Sequence, residues 1–374
     1  MEQHIETIVV GGGQAGLSVG YHLKRRNRPF LILDDRARTG DNWRRHWDTL
    51  RLYSPARYDG LPGMRFPGPG GAFPTKDEVA DYLESYAARF ELPIEHDVRV
   101  ESLTSGNGTG GYVVDCGERR FTADNVVVAT GTFGTRSHIP EFSTELDPAI
   151  AQLHSTQYLR PDQLPPGPVL VVGASHSGAD IAIEAARDHH TILAGRGTGQ
   201  LPVPLESRRA RTALPVLWFL AQHVFTLRTP IGRKMRPEIR THGGPLLRVR
   251  AGDLEAAGVE RVTERVAGVR DGKPVLDGGR VLDVASIVWC TGFRQDYGWI
   301  RLPATVLGDD GWPLEERGVV PSSPGLYFTG LAFQSAFSSM LVGGAGADAE
   351  HVARHLSDRP VTAARTPRPS VRER

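Results

Sequence analysis

Ile5-Glu6-Thr7-Ile8-Val9-Val10-Gly11-Gly12-Gly13-Gln14-Ala15-Gly16 decides the architecture of this chain. A β-branched run enters a glycine turn, and Ala15 to Arg26 has the composition of a helix. Phe30 to Leu33 then reads as a second strand ending at Asp34, which makes the stretch a βαβ unit. Gly11 permits the tight turn, Gly13 lets a phosphate come close to the backbone, and Gly16 lets helix and strand pack closely. The first helical N–H groups are left free for that anion. Asp34, 23 residues after Gly11, is placed to accept hydrogen bonds from a ribose 2′-hydroxyl.

The same order returns later with the opposite charge. Val169 to Val172 leads into Gly173-Ala174-Ser175-His176-Ser177-Gly178, a helical stretch runs to Arg187, and Thr191 to Leu193 forms the next strand. Arg196 lies 23 residues after Gly173. A guanidinium at that position can grip a 2′-phosphate, and such a charge-assisted pair is worth about 1.5–3 kcal/mol. A solvated surface arginine is the bland alternative. Ser175 stands where the middle glycine would be; serine is small, and its hydroxyl adds a donor. Two dinucleotides are therefore expected, one like FAD in the first turn and one like NADPH in the second.

Each half closes alike, with Asn125 to Gly131 (ending Ala129-Thr130-Gly131) matched by Ser286 to Gly292 (ending Thr291-Gly292). Short alternating segments with Asn107-Gly108, Cys116-Gly117, Asp271-Gly272 and Asp277-Gly278-Gly279 turns precede them and read as small antiparallel meanders. Pro161 to Pro168 reads as a crossing between domains. Gly325 to Gly330 and a helical pattern from about Gly343 to Leu356 return to the first domain. The expected fold is α/β: two doubly wound Rossmann-like dinucleotide-binding domains with small meanders. Residues 1–160 with 293–357 form the first domain. The second spans 161–292 and carries an insertion at about 201–250. From 358 to 374 a Pro- and Arg-rich tail is expected to be disordered.

Bulk composition narrows the partners. At 374 residues the chain accommodates two domains, and a net charge of +1 argues against nucleic acid or an anionic membrane as the main partner. Cys116 and Cys290 are too far apart for a CxxC redox pair; a disulfide between them stays open. The N-terminus lacks the pattern of a signal peptide, and Leu214 to Leu227, broken by Gln222 and His223, is too short to span a bilayer. A cytoplasmic location is expected, with no integral membrane segment. Between Leu201 and Arg250 ten basic residues face only Glu206 and Glu238. That segment reads either as a solvated surface or as a partly mobile insertion, apolar around Trp218 and Phe219, that covers the cofactor cleft or admits a substrate; a peripheral membrane contact is the further alternative, which the overall charge does not favour.

The stretch Gly40-Asp41-Asn42-Trp43-Arg44, with Leu50-Arg51-Leu52, Leu61-Pro62-Gly63-Met64, Phe73-Pro74-Thr75-Lys76-Asp77 and Tyr82-Leu83, resembles class B flavin-dependent monooxygenases. Within these it is most similar to the plant YUCCA-type enzymes and their bacterial relatives. His154 to Tyr158 is similar to the linker motif of that class, and Gly330 to Gln334 to its return toward the flavin. Pro148 and Ile150 replace an aromatic and a glycine of the full linker fingerprint, so the stricter Baeyer–Villiger signature is not met. Cys290 replaces an alanine and reads as a small apolar residue. His154 reads as positional.

The resemblance implies hydride transfer from NADPH to FAD, then oxygenation of a small molecule by O2 through a C4a-(hydro)peroxyflavin. It adds Trp43, Arg44, Val98, Ala129, Thr130, Gly131 and Gly330 to the FAD contacts, and Thr291 and Gly292 to those of NADPH. Arg51 and Gln334 are candidates for the reaction pocket. No nucleophile triad or metal cluster is visible, and the catalytic side chains are not identified. Two alternatives stay open: an NADPH-dependent flavin reductase or oxidase that releases peroxide or feeds a partner, and a flavin redox sensor associated with a transporter. The substrate is not legible, and a homo-oligomer is left open.

Overall fold

The computed structural model describes residues 2–106, 111–133 and 136–359. The Asn107-Gly108 turn and residues 360–374 of the tail lie outside these. The first half contains β1 (Glu2–Val10), α1 (Gln14–Arg25), β2 (Phe30–Leu33), α2 (Asp41–Arg44), α3 (Lys76–Arg89) and β3 (Ile94–Glu95). Three longer-range strands follow: β4 (Ser102–Ser105), β5 (Tyr112–Asp115) and β6 (Arg120–Val128). Next come β7 (Arg136–Ser137), β8 (Ala151–His154), β9 (Val169–Val172), α4 (His176–Ala185) and β10 (Thr191–Ala194). A helical excursion holds α5 (Arg208–Phe219), a π-helical turn at Leu220–Val224, α6 (Pro230–Thr241) and α7 (Ala251–Ala256). The second half continues through β11 (Glu260–Val262), β12 (Val266–Arg270), β13 (Lys273–Leu276), β14 (Ser286–Trp289) and β15 (Phe293–Arg294). The chain returns in β16 (Ile300–Arg301), β17 (Leu326–Phe328) and α8 (Ala345–Ser357).

Two large sheets result, as the repeated βαβ pattern requires, beside two two-stranded ones. The larger has the order β16-β4-β5-β6-β1-β2-β3, and β17 pairs with β6. Its β2, β1, β6 and β17 run parallel, while β4 and β5 form an antiparallel meander fused to β6. The smaller sheet, β11-β10-β9-β14-β8, is parallel throughout. Its companion β12–β13 hairpin turns through Asp271 and Gly272, both at positive φ.

The strands alternate between two apolar faces because side chains on a strand alternate. Val9 joins a core with Leu17 of α1, Val79 of α3 and Val352 of α8, whereas Ile8 and Val10 join the opposite core with Phe328. In the smaller sheet Val169 and Val171 face one core and Leu170 and Val172 the other.

The second unit begins earlier than the expected boundary at 161. Strand β8 pairs in parallel with β14, so Pro161–Pro168 connects β8 to β9 inside that unit. The crossing between units is made instead by β7 and β15, which pair antiparallel, Phe293 opposite Ser137. Trp47 and Leu50 belong to the first half in sequence but are buried in the core of the second sheet. No helix among the described residues is long and apolar enough to cross a membrane. Both cysteines are free; burial pushes the Cys116 thiol up to about 11 and raises that of Cys290 as well.

Candidate functional site

The first turn has the stereochemistry its glycines imply. Gly11 has φ +110°, and a Cβ there would lie 2.7 Å from the Ala129 carbonyl oxygen. At Gly16 a Cβ would stand 1.9 Å from the Gly11 carbonyl oxygen, so helix and turn touch backbone to backbone. Gly13 has no atom within 4 Å of its Cβ position, and open space therefore lies directly before the N-terminus of α1. Gln14 and Ala15 begin that helix.

Asp34 closes the far side. Its Oδ2 accepts the Gly12 N–H at 3.0 Å and its Oδ1 the Arg36 N–H at 3.1 Å. Burial raises its pKa, and these two N–H donors act in the opposite direction. The Val98 N–H donates to the Asp34 carbonyl at 2.9 Å, which places Val98 beside the same strand end.

Gly131 and Gly330 converge on the turn from β6 and β17. Both have positive φ, and a Cβ on Gly330 would lie 2.7 Å from Ala15 Cβ and 4.0 Å from Gly131 Cα. Thr132 Oγ1 accepts the Ala332 N–H at 2.7 Å and ties the two loops together. Beside them the Thr130 hydroxyl is buried with no hydrogen-bond partner among the described residues.

Trp43 packs against the cores of both sheets. Its turn depends on Gly40 (φ +91°), where a Cβ would lie 2.5 Å from the Ala80 carbonyl oxygen. Arg44 is occupied as a brace: its guanidinium donates to the Thr39 carbonyl and to Asp41, Asp81 and Glu84 at 2.9–3.1 Å. The Phe73 to Asp77 motif is a helix start, in which Thr75 and Glu78 form a capping box for α3. Gln334 is fully buried. Its Nε2 donates to the Phe328 carbonyl at 2.9 Å and its Oε1 accepts the Leu331 N–H at 3.3 Å. It braces its own loop. Arg51 is exposed, and its carbonyl accepts from Arg248 at 3.4 Å.

The second turn repeats the backbone contacts. A Cβ on Gly173 (φ +111°) would lie 2.3 Å from the Cys290 carbonyl oxygen, and one on Gly178 1.7 Å from the Gly173 carbonyl oxygen. The expected free donor at Ser175 is otherwise engaged: its hydroxyl donates to the Gly244 carbonyl at 2.8 Å. His176 Nε2 bonds the Pro245 carbonyl at 2.5 Å, and burial lowers this histidine's pKa, so the ring is a neutral Nε2–H donor. Residues 243–245 thus lie over the second turn, a contact 69 positions away in sequence. Ser177 lies in the first turn of α4. Arg196 is exposed two residues past β10 and forms no ion pair among the described residues. Its neighbour Thr198 donates to the Ala174 carbonyl at 3.4 Å, so the Arg196 loop rests on the turn.

The two cradles meet at the crossing. The His138 N–H donates to the Gly292 carbonyl at 3.0 Å, and the Thr291 hydroxyl donates to the His138 carbonyl. His154 is buried with both ring nitrogens engaged, Nε2 with the Gly292 carbonyl at 3.2 Å and Nδ1 with Thr156 Oγ1 at 3.0 Å. Burial lowers its pKa, so it is a neutral brace, in accord with a positional role. Tyr158, four residues on, donates to Glu184 of α4 at 3.2 Å.

Three junction residues carry no sequence motif. The Tyr53 hydroxyl donates to Asp180 of α4 at 2.8 Å, and the Tyr53 ring lies 5.0 Å from that of His176. Arg248 donates to the Leu52 carbonyl at 2.7 Å, approaches Asp180 at 3.9 Å and covers the Tyr53 ring at 5.1 Å. Tyr53 follows directly on Leu50-Arg51-Leu52 and was detectable by that adjacency; nothing local marks Asp180 or Arg248.

A family model described as pyridine nucleotide-disulphide oxidoreductase matches residues 8–201. A CzcO-like oxidoreductase of Geobacillus kaustophilus is 36% identical, over 94% of this chain and 98% of its own length. A probable indole-3-pyruvate monooxygenase of Arabidopsis thaliana, YUCCA3, is 27% identical over 94% of this chain and 86% of its own length. Among solved structures, a flavin-containing monooxygenase from Stenotrophomonas maltophilia is 25% identical with a TM-score of 0.73, covering 95% of this chain and 98% of that one.

Proposed function

Because the chain belongs to the pyridine nucleotide-disulphide oxidoreductase family and is an oxidoreductase of the class B flavin monooxygenase type, we propose that it is an FAD- and NADPH-dependent monooxygenase. The net reaction converts NADPH, a proton, O2 and a small-molecule substrate into NADP⁺, water and the oxygenated substrate. One observation carries this reading: two cradles with opposite charges at corresponding strand ends, Asp34 and Arg196, have their closing loops joined through the β7–β15 crossing.

The residues fit the two dinucleotides. Open space at Gly13, the buried Thr130 hydroxyl without a partner and the buried Asp34 carboxylate suit FAD. The N-terminus of α4 and Arg196 suit the phosphates of NADPH. When bound, FAD supplies hydride acceptance and oxygen activation, which no side chain provides. The chain's part is to bind, orient and keep the meeting point dry. Gly13 and the first N–H groups of α1 would hold the pyrophosphate, and Asp34 would accept from the ribose. Trp43, wedged between the two cores, excludes water from their junction. His154, neutral and doubly bonded, fixes the Gly292 carbonyl and holds no proton in play.

The test is stoichiometric. Purified protein supplied with NADPH, O2 and a panel of amines, sulfides and carbonyl compounds is assayed for NADPH consumed, oxygenated product and hydrogen peroxide. Product matching NADPH for one class supports the reading. Peroxide equal to NADPH under every condition points to an oxidase, and protein that takes up no flavin refutes both.

A further inference from the structure

The 201–250 segment has an inner and an outer face, and packing on the first unit accounts only for the inner one. Along α5, Ala210, Leu214 and Trp218 recur at four-residue spacing and turn inward, with Ala210 buried and Trp218 stacked on Tyr58 at 4.8 Å. From α6, Arg240 covers Trp312 at 4.0 Å and, with Arg236, faces the fully buried Glu315 at 3.5–3.7 Å. A bridge between Thr226 and Ala336 completes the attachment. The segment is therefore fixed to the first unit.

The outer face is of a different kind. On α5, Arg209, Thr212, Val216 and Phe219 follow one another at three- and four-residue spacing, which is one side of a helix. Val216 is 59% exposed and Phe219 56%; Leu217 and, on α6, Ile231 are also among the exposed large apolar side chains. Half of the large exposed apolar residues described in the molecule thus lie in this one segment. Exposed Arg208, Arg209 and Arg211 stand on the same helix, and exposed Arg228, Arg233 and Lys234 before and within α6; none of these forms an ion pair among the described residues. The segment holds ten basic and two acidic residues while the whole chain nets +1, so the rest of the molecule is net acidic.

From this we infer that the outer face of α5 and the start of α6 dock on an anionic lipid surface, Val216 and Phe219 entering the headgroup boundary and the cations meeting lipid phosphates. Exposed apolar side chains on a helix that also carries Lys or Arg without ion pairs are what an interfacial contact needs. An acidic protein would satisfy the cations but not the exposed apolar residues. The net-acidic remainder of the molecule orients this face toward the surface and the rest away from it.

The experiment uses the full flavin-loaded chain in co-sedimentation with vesicles of phosphatidylcholine alone or with about one-third phosphatidylglycerol. Binding to the anionic vesicles is expected to be at least about ten-fold tighter and to weaken strongly at about 0.5 M salt. Val216→Ser with Phe219→Ser, and separately Arg208→Glu with Arg209→Glu, should each lower it about ten-fold, with flavin content and NADPH oxidation unchanged. Those readouts separate loss of docking from loss of fold. Equal binding to both vesicle types, no binding at low salt, or unchanged binding by both double variants overturns the inference. So does capture of a soluble acidic protein through these cations without any vesicle binding.

Discussion

The Tyr53 hydroxyl donates to Asp180 Oδ2 at 2.8 Å, joining the segment beside the first cradle to the helix that opens the second. Asp180 is desolvated, which raises its pKa, while the Tyr53 bond and Arg248 pull it back. Desolvation, Asp180 and the bond to it together raise the Tyr53 pKa well above its ordinary value, so the phenol stays a donor at all working pH values. Tyr53→Phe removes that donor and leaves Asp180 with Arg248 at 3.9 Å. A loss of about 1.5–3 kcal/mol in urea unfolding is expected. A change below about 0.5 kcal/mol would mean the junction is carried by packing alone.

Asp59 gives a pH signature. It is fully buried; Ser54 donates to its Oδ1 at 2.6 Å, and Oδ2 has no partner among the described residues. Burial pushes its pKa up to about 7, opposed by the Ser54 bond. A carboxyl whose pKa is raised on folding favours the folded state fully below its unfolded value near 3.8, and that advantage is lost as pH rises through about 7. Asp59→Asn, which carries no ionisation, should therefore gain on the wild type between pH 4 and pH 8 by up to about 4 kcal/mol. Urea unfolding of both proteins across that range reads the difference, and a gap that stays constant with pH would contradict the assignment.

Gly13 and Gly16 separate binding from folding. Gly13 has φ −78° and open space at its Cβ position, so Gly13→Ala should keep its apo stability within about 0.5 kcal/mol. The added methyl intrudes where a pyrophosphate would approach, and flavin affinity should fall at least about ten-fold. Gly16→Ala, with its Cβ 1.9 Å from the Gly11 carbonyl oxygen, should instead fail to accumulate as folded protein. Flavin titration beside thermal unfolding of the apoprotein distinguishes the two.

Arg196→Ala should raise KM for NADPH about ten- to hundred-fold and leave KM for NADH nearly unchanged, because only the former carries the 2′-phosphate. Equal changes for both nucleotides would remove Arg196 from the site. The direction rests on the exposed guanidinium standing beside the second turn with no competing carboxylate.

What the sequence made legible was local. Gly11, Gly16, Gly173 and Gly178 state their requirement within six residues, and the structure meets each with a backbone contact no Cβ could share. Asp34, the β17 return and α8 followed from the same periodicity. Long-range contacts were not legible. Nothing around Gly243 announces that residues 243–245 would cover Ser175 and His176, and nothing in Trp47 tells which of two cores receives it. Gln334 was a candidate for the reaction pocket by family likeness alone, and sequence does not show that two backbone groups of its own loop engage its amide. The boundary at 161 misled because prolines mark any irregular connection, and strand pairing alone shows which sheet β8 serves.

The pairing of β17 with β6 has a consequence for how the protein is made. Residues 326–328 are the closing strand of a sheet whose other central strands are complete by residue 128. A ribosome must therefore release the whole intervening nucleotide unit before that sheet can be finished. Until α8 emerges, the outward side of α1 stays bare, and the nascent chain carries an open apolar flank through most of its synthesis. The later-made unit is nested inside the earlier one, so it can be complete while its host is still waiting for its last strand and helix.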